Sequence, residues 1–286
     1  MNVLSLFDGM SCGQIALDQL GIKVDNYYAA EIDKWAIQVT KKNYPNTIHL
    51  GDVTQVKGED LPEIDLLIGG SPCQGFSFAG KQLNFDDPRS ALFFEFVRLL
   101  EETKPKYFML ENVRMKQEYQ DVISEYLGVK PIMINSALVS AQNRVRLYWT
   151  NIPNVEQPED QFILLDEILE GLNSDEIVPS ITLKVQEATK KGYTEIENGG
   201  CFDITFPSSK TRRGRNMKHK CNCLTATNYD YMRYEYPNIR KLTPIECERL
   251  QTVPDNYTDG VSNSQRYKML GNGWTVEVIK HIFKNM

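Results

Sequence analysis

The sequence has no long hydrophobic run. None of its apolar stretches approaches the roughly 18 residues that span a bilayer, so we expect no membrane partner. The chain enters an apolar segment at residues 3–7 without a basic leader or a small-residue cleavage site, and we expect a cytoplasmic protein. Cysteine is sparse and irregularly spaced, with six in 286 residues, which fits a reducing compartment rather than a disulfide framework.

Paired metal ligands and excess positive charge are also lacking. Cys221 and Cys223 lie beside His219, but this is not the common C-x2-C spacing and no second pair occurs elsewhere, so we expect no metal. The net charge of −6 argues against a generic nucleic-acid binder. The length and the 41% hydrophobic content allow one large or two modest globular domains.

The most informative stretch is an apolar strand that ends in glycines, a proline and a cysteine. Residues 64–68 are typical of a buried strand, and the sequence Gly-Gly-Ser-Pro at 69–72 leads to Cys73. A cysteine at the carboxyl end of a parallel strand lies where open α/β sheets place their chemistry. The alternative is a buried structural cysteine, which is the common fate of a free thiol.

The amino-terminal part has the pattern of a nucleotide site. A strand at 3–7 is followed by a turn from Asp8 to Gly13 and then by a helix, and backbone N–H groups at such a helix start favour an anionic group. A second strand ends at Glu31, where an acidic residue would grip a ribose, and a third ends at Asp52. The alternatives are a plain βα turn and acidic residues that cap helices or face solvent.

Charged side chains also follow the later strands. The strand at 107–110 ends at Glu111, which would lie near Cys73 if the two strands are neighbours. Because side chains of a strand alternate, Gln142, Arg144 and Arg146 are expected on one side of an extended segment. The alternative is that this side faces solvent.

Composition changes after Trp149, and prolines and acidic residues there indicate a domain boundary. We predict a catalytic domain of residues 1–151 plus 262–286 and a small, irregular β-rich domain of 152–261. Within the latter, residues 210–220 contain six basic residues and no acidic one, and tyrosines follow. This segment predicts contact with nucleic acid, although a solvated face is the alternative.

The carboxyl-terminal part has two clear helix starts. Thr243 is predicted to cap a helix, with Pro244 at its first position and Glu246 closing a capping box. A glycine-rich turn, Gly-Asn-Gly-Trp at 271–274, then leads into a last helix and would close a cofactor pocket.

In this order, the motifs resemble those of the cytosine-5 DNA methyltransferases. The set is Phe7-Asp8-Gly9 with Gly13, Glu31, Asp52-Val53, Pro72-Cys73-Gln74, Glu111-Asn112-Val113, Gln142-x-Arg144-x-Arg146, the segment 240–250, and Gly271-Asn272-Gly273. The resemblance covers residues 1–150 and 238–286, and not 151–237, where the family keeps its variable target-recognition region. It implies an α/β fold: a Rossmann-like class I methyltransferase sheet with a smaller, irregular β-rich target-recognition domain. Gly273-Trp274 departs from the Ser-Val more usual after Gly-Asn in bacterial members, and a tryptophan at this position is similar to the vertebrate de novo enzymes.

The resemblance implies S-adenosylmethionine as cofactor and methyl donor, and double-stranded DNA as the substrate of a monomer. The implied cofactor-binding residues are Phe7, Asp8, Gly9 and Gly13 at the methionine end, Glu31 at the ribose, Ile32 and Trp35 flanking the adenine, Asp52 and Val53 at its edge, and Gly70, Leu92, Asn272 and Trp274 completing the pocket. The expected DNA-binding residues are Gln74, Ser77 and Lys81 after the cysteine motif and, outside the resemblance, Arg212, Arg213, Arg215 and Thr225 in or near the basic segment.

The resemblance also implies the catalytic roles. The Cys73 thiolate would add to carbon 6 of cytosine, which makes carbon 5 nucleophilic enough to accept a methyl group. Glu111 would hydrogen-bond N3 and the amino group, Arg146 would hold the O2 edge, and Arg144 a phosphate or the cysteine loop. The cytosine would have to be flipped out of the duplex. None of these steps needs a metal.

Three other functions are compatible with part of the pattern. A transfer-RNA cytosine-5 methyltransferase shares the catalytic set, although the basic insertion before Arg240 favours DNA. A catalytically silent nucleic-acid-binding relative is opposed by the presence of Cys73, Glu111 and Arg146 together. A cysteine hydrolase is disfavoured because none of the three histidines lies in a comparable strand-end position. The recognised DNA sequence, and a role in a restriction system, a phage or alone, are left open.

Overall fold

The computed structural model describes residues 1–71, 88–171, 181–226 and 230–286. The chain forms two compact units. The first unit is Met1–Asn135, Val145–Glu159 and Gly273–Met286, and the second unit is Ser136–Arg144 and Asp160–Asn272. The division drawn from the sequence, with boundaries at 151 and 262, kept 136–144 in the catalytic domain. In the structure, Cys221 N donates to the Ala141 carbonyl and Asn143 N to the Cys221 carbonyl, so this segment is tied to the second unit.

The first unit is built on a seven-stranded sheet with the order β3-β2-β1-β4-β5-β7-β6. Its strands are β1 (Asn2–Leu6), β2 (Asn26–Ala30), β3 (Ile48–His49), β4 (Leu66–Gly70), β5 (Tyr107–Val113), β6 (Ile132–Asn135) and β7 (Val145–Thr150). The strands β1 to β5 pair in parallel, whereas β7 runs antiparallel to both of its neighbours. This arrangement confirms the α/β prediction of a Rossmann-like sheet.

Helices flank the central strands of this sheet. They are α1 (Cys12–Gln19), α2 (Lys34–Asn43), α3 (Pro88–Thr103), α4 (Gln117–Leu127) and, at the end of the chain, α8 (Val276–Phe283). Strands β1 and β4 are mostly apolar, and Leu4, Leu6, Leu67 and Ile68 are fully buried. A strand of this composition is stable only when both of its faces are covered, which is typical of parallel sheets. Because β1, β2, β4 and β5 pair in parallel, their carboxyl ends meet at one edge of the sheet.

The second unit contains two small sheets whose strands pair antiparallel. Its strands are β8 (Thr182–Gln186), β9 (Tyr193–Glu197), β10 (Cys201–Asp203), β11 (Tyr231–Glu235) and β12 (Asn238–Lys241), and its helices are α5 (Leu165–Ile168), α6 (Pro244–Leu250) and α7 (Asn263–Asn272). One sheet has the order β10-β11-β12, and β8 and β9 form a hairpin. The irregular β-rich prediction is confirmed.

Local sequence explains the start of α6. The Thr243 hydroxyl accepts from Glu246 N at 3.1 Å, and the Glu246 carboxylate accepts from Thr243 N at 2.8 Å. Pro244 occupies the first helical turn, where a missing N–H costs nothing. The predicted capping box is therefore present.

Within the described ranges, no helix has both the length and the hydropathy to cross a bilayer.

Candidate active site

The edge of the first sheet brings the end of β4 next to β5. Gly70 pairs with Glu111 in a parallel register, so the expected neighbourhood of these two strand ends is confirmed. Asn112 Nδ2 donates to Ser71 Oγ at 3.3 Å, which holds the last described residue before the proline-cysteine motif. Four predicted site residues lie outside the described residues: Cys73, Gln74, Ser77 and Lys81.

Glu111 is paired with Arg146 across the antiparallel strands β5 and β7. Arg146 Nε lies 2.9 Å from Glu111 Oε1, and the two side chains are 14% and 10% exposed. At this degree of burial an uncompensated carboxylate would be costly, and the guanidinium offsets that cost. The structure therefore brings these two predicted catalytic side chains into direct contact.

A third side chain, Trp274, also reaches Glu111. The indole Nε1 of Trp274 donates to Glu111 Oε2 at 3.0 Å. The sequence placed Trp274 among the cofactor residues and did not predict this bond. The feature of the sequence that pointed to this position was the departure of Gly273-Trp274 from the usual Ser-Val pair.

The loop after β1 is bonded to the end of β2. Glu31 Oε2 accepts from Gly9 N at 2.7 Å, and Oε1 accepts from Ile32 N and Asp33 N. A carboxylate has about four lone-pair positions, so acceptor capacity remains on Glu31. At Gly13, a Cβ would lie 2.4 Å from Ile68 Cδ1, so a side chain there would displace the neighbouring strand's residue. The predicted glycine turn and acidic strand end thus form one structure.

Asp8 lies inside this loop and accepts from three hydroxyls. The donors are Ser5, at 2.6 Å, Tyr27, at 2.8 Å, and Ser11. Burial raises the pKa of Asp8 from 3.8 to about 6, against the opposing effect of these hydrogen bonds. Near neutral pH the carboxylate is ionised, and it holds the loop in one conformation through its hydroxyl partners.

The outer part of the predicted cofactor site combines apolar surface with carboxylates. Ile32 is 75% exposed at the end of β2, and Trp35 is half-buried in the first turn of α2. Asp52 is exposed, and the N–H of Thr54 lowers its pKa, so it stays an ionised acceptor. Uncovered apolar surface beside acceptor groups fits a nucleoside, whose ring is flat and whose edge and sugar donate hydrogen bonds.

The remaining predicted cofactor residues take mixed positions. Val53 is buried in the core of the first unit, and the half-buried Leu92 packs against that core. Phe7 has a positive φ of 56° at the end of β1 and packs against the same core. Asn272 is exposed at the end of α7.

Arg144 and Gln142 are buried within the second unit. Arg144 donates to the carbonyls of Leu224, at 2.8 Å, and Gly271, at 3.1 Å. Gln142 Nε2 donates to the Leu250 carbonyl at 2.7 Å. The strand β7 begins at Val145, so the expected alternation does not run from Gln142 through Arg146. Arg144 has a structural role here, and its predicted catalytic role stays a prediction.

The basic segment 210–220 is partly on the surface. Arg213 is exposed, and its Nε donates to the Ala188 carbonyl at 2.8 Å. Arg212 forms an ion pair with the buried Asp203, and its guanidinium lies 5.8 Å from the ring centroid of the exposed Phe206. Thr225, also predicted to contact DNA, is exposed.

Arg215 does not fit its predicted DNA contact. It is 1% exposed, and its guanidinium donates to the carbonyls of Asp203, Thr205 and Phe206. The prediction was wrong for this residue because the count of basic residues in a segment does not show which of them point inward. Arg215 instead holds the backbone that presents Phe206.

Most of the described cysteines are buried. Cys12, Cys201, Cys221 and Cys247 are buried, and Cys223 is half-buried. Burial raises the pKa of Cys201 to about 12 and raises that of Cys221 and Cys247 as well. Because the thiolate is the nucleophile, Cys201, Cys221 and Cys247 are poor candidates for covalent chemistry. Among the residues that the structure describes, no group of three His, Cys, Asp or Glu side chains has the arrangement of a metal site.

Comparison with known proteins gives a consistent set of relatives. The family model described as C-5 cytosine-specific DNA methylase matches residues 1–286. The Type II methyltransferase M1.ScrFI of Lactococcus lactis subsp. cremoris is 32% identical, over 99% of this chain and 77% of the relative. The Type II methyltransferase M.NlaX of Neisseria lactamica is 30% identical, over 99% of this chain and 95% of the relative.

Solved structures share the fold at lower identity. A crystal structure of Spodoptera frugiperda DNMT2 superimposes with a TM-score of 0.70 at 19% identity, over 99% of this chain and 98% of that chain. A crystal structure described as that of a prophage-encoded DNA modification methyltransferase (E. coli) has a TM-score of 0.69 at 22% identity, over 100% of this chain and 98% of that chain. At these identities the likeness shows the fold alone.

Proposed function

Because the chain belongs to the C-5 cytosine-specific DNA methylase family, we propose that Cys73 is its nucleophile and that Glu111 and Arg146 hold the target cytosine. Enzymes of this family methylate carbon 5 of cytosine in DNA and use S-adenosylmethionine as the methyl donor. The observation that carries the assignment is the pair of Glu111 and Arg146 at 2.9 Å, beside the strand end that leads to Cys73.

Each residue has one defined task. The Cys73 thiolate forms a bond to carbon 6 of cytosine, and the electron pair of the ring moves to carbon 5. Glu111 hydrogen-bonds N3 and the exocyclic amine as charge develops on the ring, and Arg146 binds the O2 edge. After the methyl group is on carbon 5, that carbon loses its proton to a base. The electrons of that C–H bond restore the ring double bond, and the bond to Cys73 breaks, which releases the thiolate.

The cofactor site is supported by the loop at the end of β1 and by the ends of β2 and β3. When bound, S-adenosylmethionine supplies an electrophilic methyl group. Glu31 retains acceptor capacity for the ribose hydroxyls, and the 75% exposed Ile32 offers an apolar face to the adenine. Asp52 stays ionised and accepts from the adenine edge.

We assign recognition of duplex DNA to the second unit. Lys210, Arg213 and Lys218 are exposed and suit phosphate contacts, which position a protein but carry no sequence information. The flipped cytosine costs about a few kcal/mol of unstacking. We further propose that the enzyme works as a monomer in the cytoplasm and that, like its Type II relatives, it modifies a specific DNA sequence.

Transfer of a labelled methyl group tests this function. The enzyme is incubated with labelled S-adenosylmethionine and either duplex DNA or transfer RNA. We expect label in DNA at cytosine carbon 5, and loss of that label in Cys73→Ser, whereas Cys201→Ala, at a buried cysteine, keeps it. A strong preference for transfer RNA would contradict the DNA assignment, and undiminished transfer by Cys73→Ser would contradict the nucleophile.

A further inference from the structure

We propose that Trp274 is a positioning residue for the catalytic carboxylate: its indole N–H orients Glu111 toward the cytosine. The proposal rests on the function proposed for Glu111. It assigns to Trp274 a task in the methyl-transfer step, in addition to any contact with the cofactor.

The carboxylate of Glu111 is held at both oxygens. Arg146 Nε is 2.9 Å from Oε1, and Trp274 Nε1 is 3.0 Å from Oε2. One donor on each oxygen fixes the plane of the carboxylate, whereas a single donor would leave it free to rotate about its last torsion, which is broad for glutamate. Preorganised orientation of a group that binds the developing charge is a large contribution to catalysis.

The backbone around this bond leaves room for it. A Cβ on Gly70 would lie 2.9 Å from Trp274 Nε1 and 3.0 Å from Glu111 Oε2, so a side chain there would enter the hydrogen bond itself. A Cβ on Gly13 would lie 3.6 Å from Trp274 Cζ3, so this glycine lies against the other end of the indole. Two glycines, at the end of β4 and in the first turn of α1, thus leave the space that the ring occupies.

The indole is also anchored from its own side of the chain. Trp274 lies next to Thr275, the N-cap of α8, which is 1% exposed, and the helix residues Val276, Val278, Ile279 and Ile282 are fully buried. A side chain attached to so rigid an element loses little additional entropy when it forms a hydrogen bond. Trp274 therefore suits an orienting task better than a residue on a free loop.

The two possible roles of Trp274 predict different kinetics. If the ring only lines the cofactor site, its loss weakens cofactor binding and raises KM for S-adenosylmethionine. If its N–H orients Glu111, its loss slows the chemical step and lowers kcat, because the interaction matters most in the transition state. The second effect also depends on the presence of the Glu111 carboxylate.

The test is a double-mutant cycle on single-turnover methyl transfer to duplex DNA. Trp274→Phe keeps an aromatic ring and removes the N–H, and Trp35→Phe is the matched control at another predicted cofactor tryptophan. Each is made alone and with Glu111→Gln. We expect Trp274→Phe to lower the rate about tenfold at saturating cofactor, the loss typical of one hydrogen bond to a charged group. In the Glu111→Gln background its effect should shrink to less than about twofold, because the cycle measures coupling.

Trp35→Phe should raise KM equally in both backgrounds. A Trp274→Phe variant that changes only KM, or whose tenfold loss persists in Glu111→Gln, would overturn the proposal. If Glu111→Gln alone has no effect, the proposed function fails instead. If Trp274→Phe does not fold, site-specific 3-benzothienylalanine at position 274 replaces the N–H by sulfur in a ring of the same shape and decides the same question.

Discussion

Arg146 and Glu111 form a diagonal pair across β5 and β7. Glu111 is opposite Tyr148 in the antiparallel register, and Arg146 lies two residues away on the same face, opposite Val113. Diagonal neighbours are within reach of long side chains. The pair therefore depends on the register of two strands whose residues are more than thirty positions apart in the sequence.

Replacement of Arg146 tests this pair. Arg146→Ala leaves the buried Glu111 without its cation and removes the donor assigned to the O2 edge. We expect kcat for methyl transfer to fall about 10² to 10³-fold, as for the loss of one transition-state donor. Arg146→Lys should recover only part of the activity, because an ammonium lacks the planar fork of a guanidinium. Activity of Arg146→Ala within threefold of the unmodified enzyme would argue against the assignment.

The exposed basic residues of the second unit predict a salt effect. Lys210→Gln with Arg213→Gln removes two exposed charges and leaves Arg212, which is paired with the buried Asp203, in place. The slope of log binding constant against log salt should become shallower by about one unit for each lost phosphate contact. The double variant Lys116→Gln with Lys130→Gln removes two exposed charges from the first unit as a control. Equal slopes for the two double variants would show that the basic segment makes no contact with the DNA phosphates.

Arg215 is expected to act on stability. Its guanidinium satisfies three carbonyls in the interior of the second unit, and Arg215→Met would leave them without this donor. Unsatisfied buried groups cost about 1–3 kcal/mol each, so we expect a loss of about 3 kcal/mol or more in unfolding free energy by urea titration. The exposed Arg213→Met should change it by less than about 1 kcal/mol. Similar stabilities for the two variants would refute the structural role of Arg215.

Asp8 predicts a pH dependence of stability. Its folded pKa of about 6 is above the ordinary value of 3.8, so the folded protein binds the proton more tightly than the unfolded chain. The unfolding free energy therefore falls as pH rises from about 4 to about 6 and is level above that, with a total change of at most about 3 kcal/mol from this group.

The measurement is urea unfolding between pH 4 and pH 7 for the unmodified protein, Asp8→Asn and the exposed control Asp60→Asn. The asparagine has no proton to lose, so the difference between Asp8→Asn and the unmodified protein should vary with pH within this window. Asp60→Asn should leave the profile unchanged. A constant difference for Asp8→Asn across the window would rule out a titrating Asp8.

The sequence predicted those parts of the fold that are set by local pattern. The mostly apolar strands β1 and β4 and the capping box at Thr243 lie where they were expected, because hydrophobic pattern and capping are local. Family motifs placed Glu111 and Arg146 in one site.

Side-chain burial and long-range bonds were not predictable from the pattern. Arg215 and Arg213 are two positions apart in one basic segment, yet one is buried and the other exposed, because the chain turns against Asp203 only in the folded unit. The bond from Trp274 to Glu111 joins residues 163 positions apart, and no spacing rule links them.

The central claim is a covalent bond between Cys73 and carbon 6 of the target cytosine. Duplex DNA that contains 5-fluorocytosine traps this bond, because the fluorine on carbon 5 cannot leave as a proton does after methyl transfer. Incubation with S-adenosylmethionine, followed by proteolysis and mass spectrometry, should give one DNA-linked peptide modified at Cys73, and none from Cys73→Ser. An adduct on the half-buried Cys223, or no adduct with an enzyme that still methylates ordinary DNA, would contradict the account.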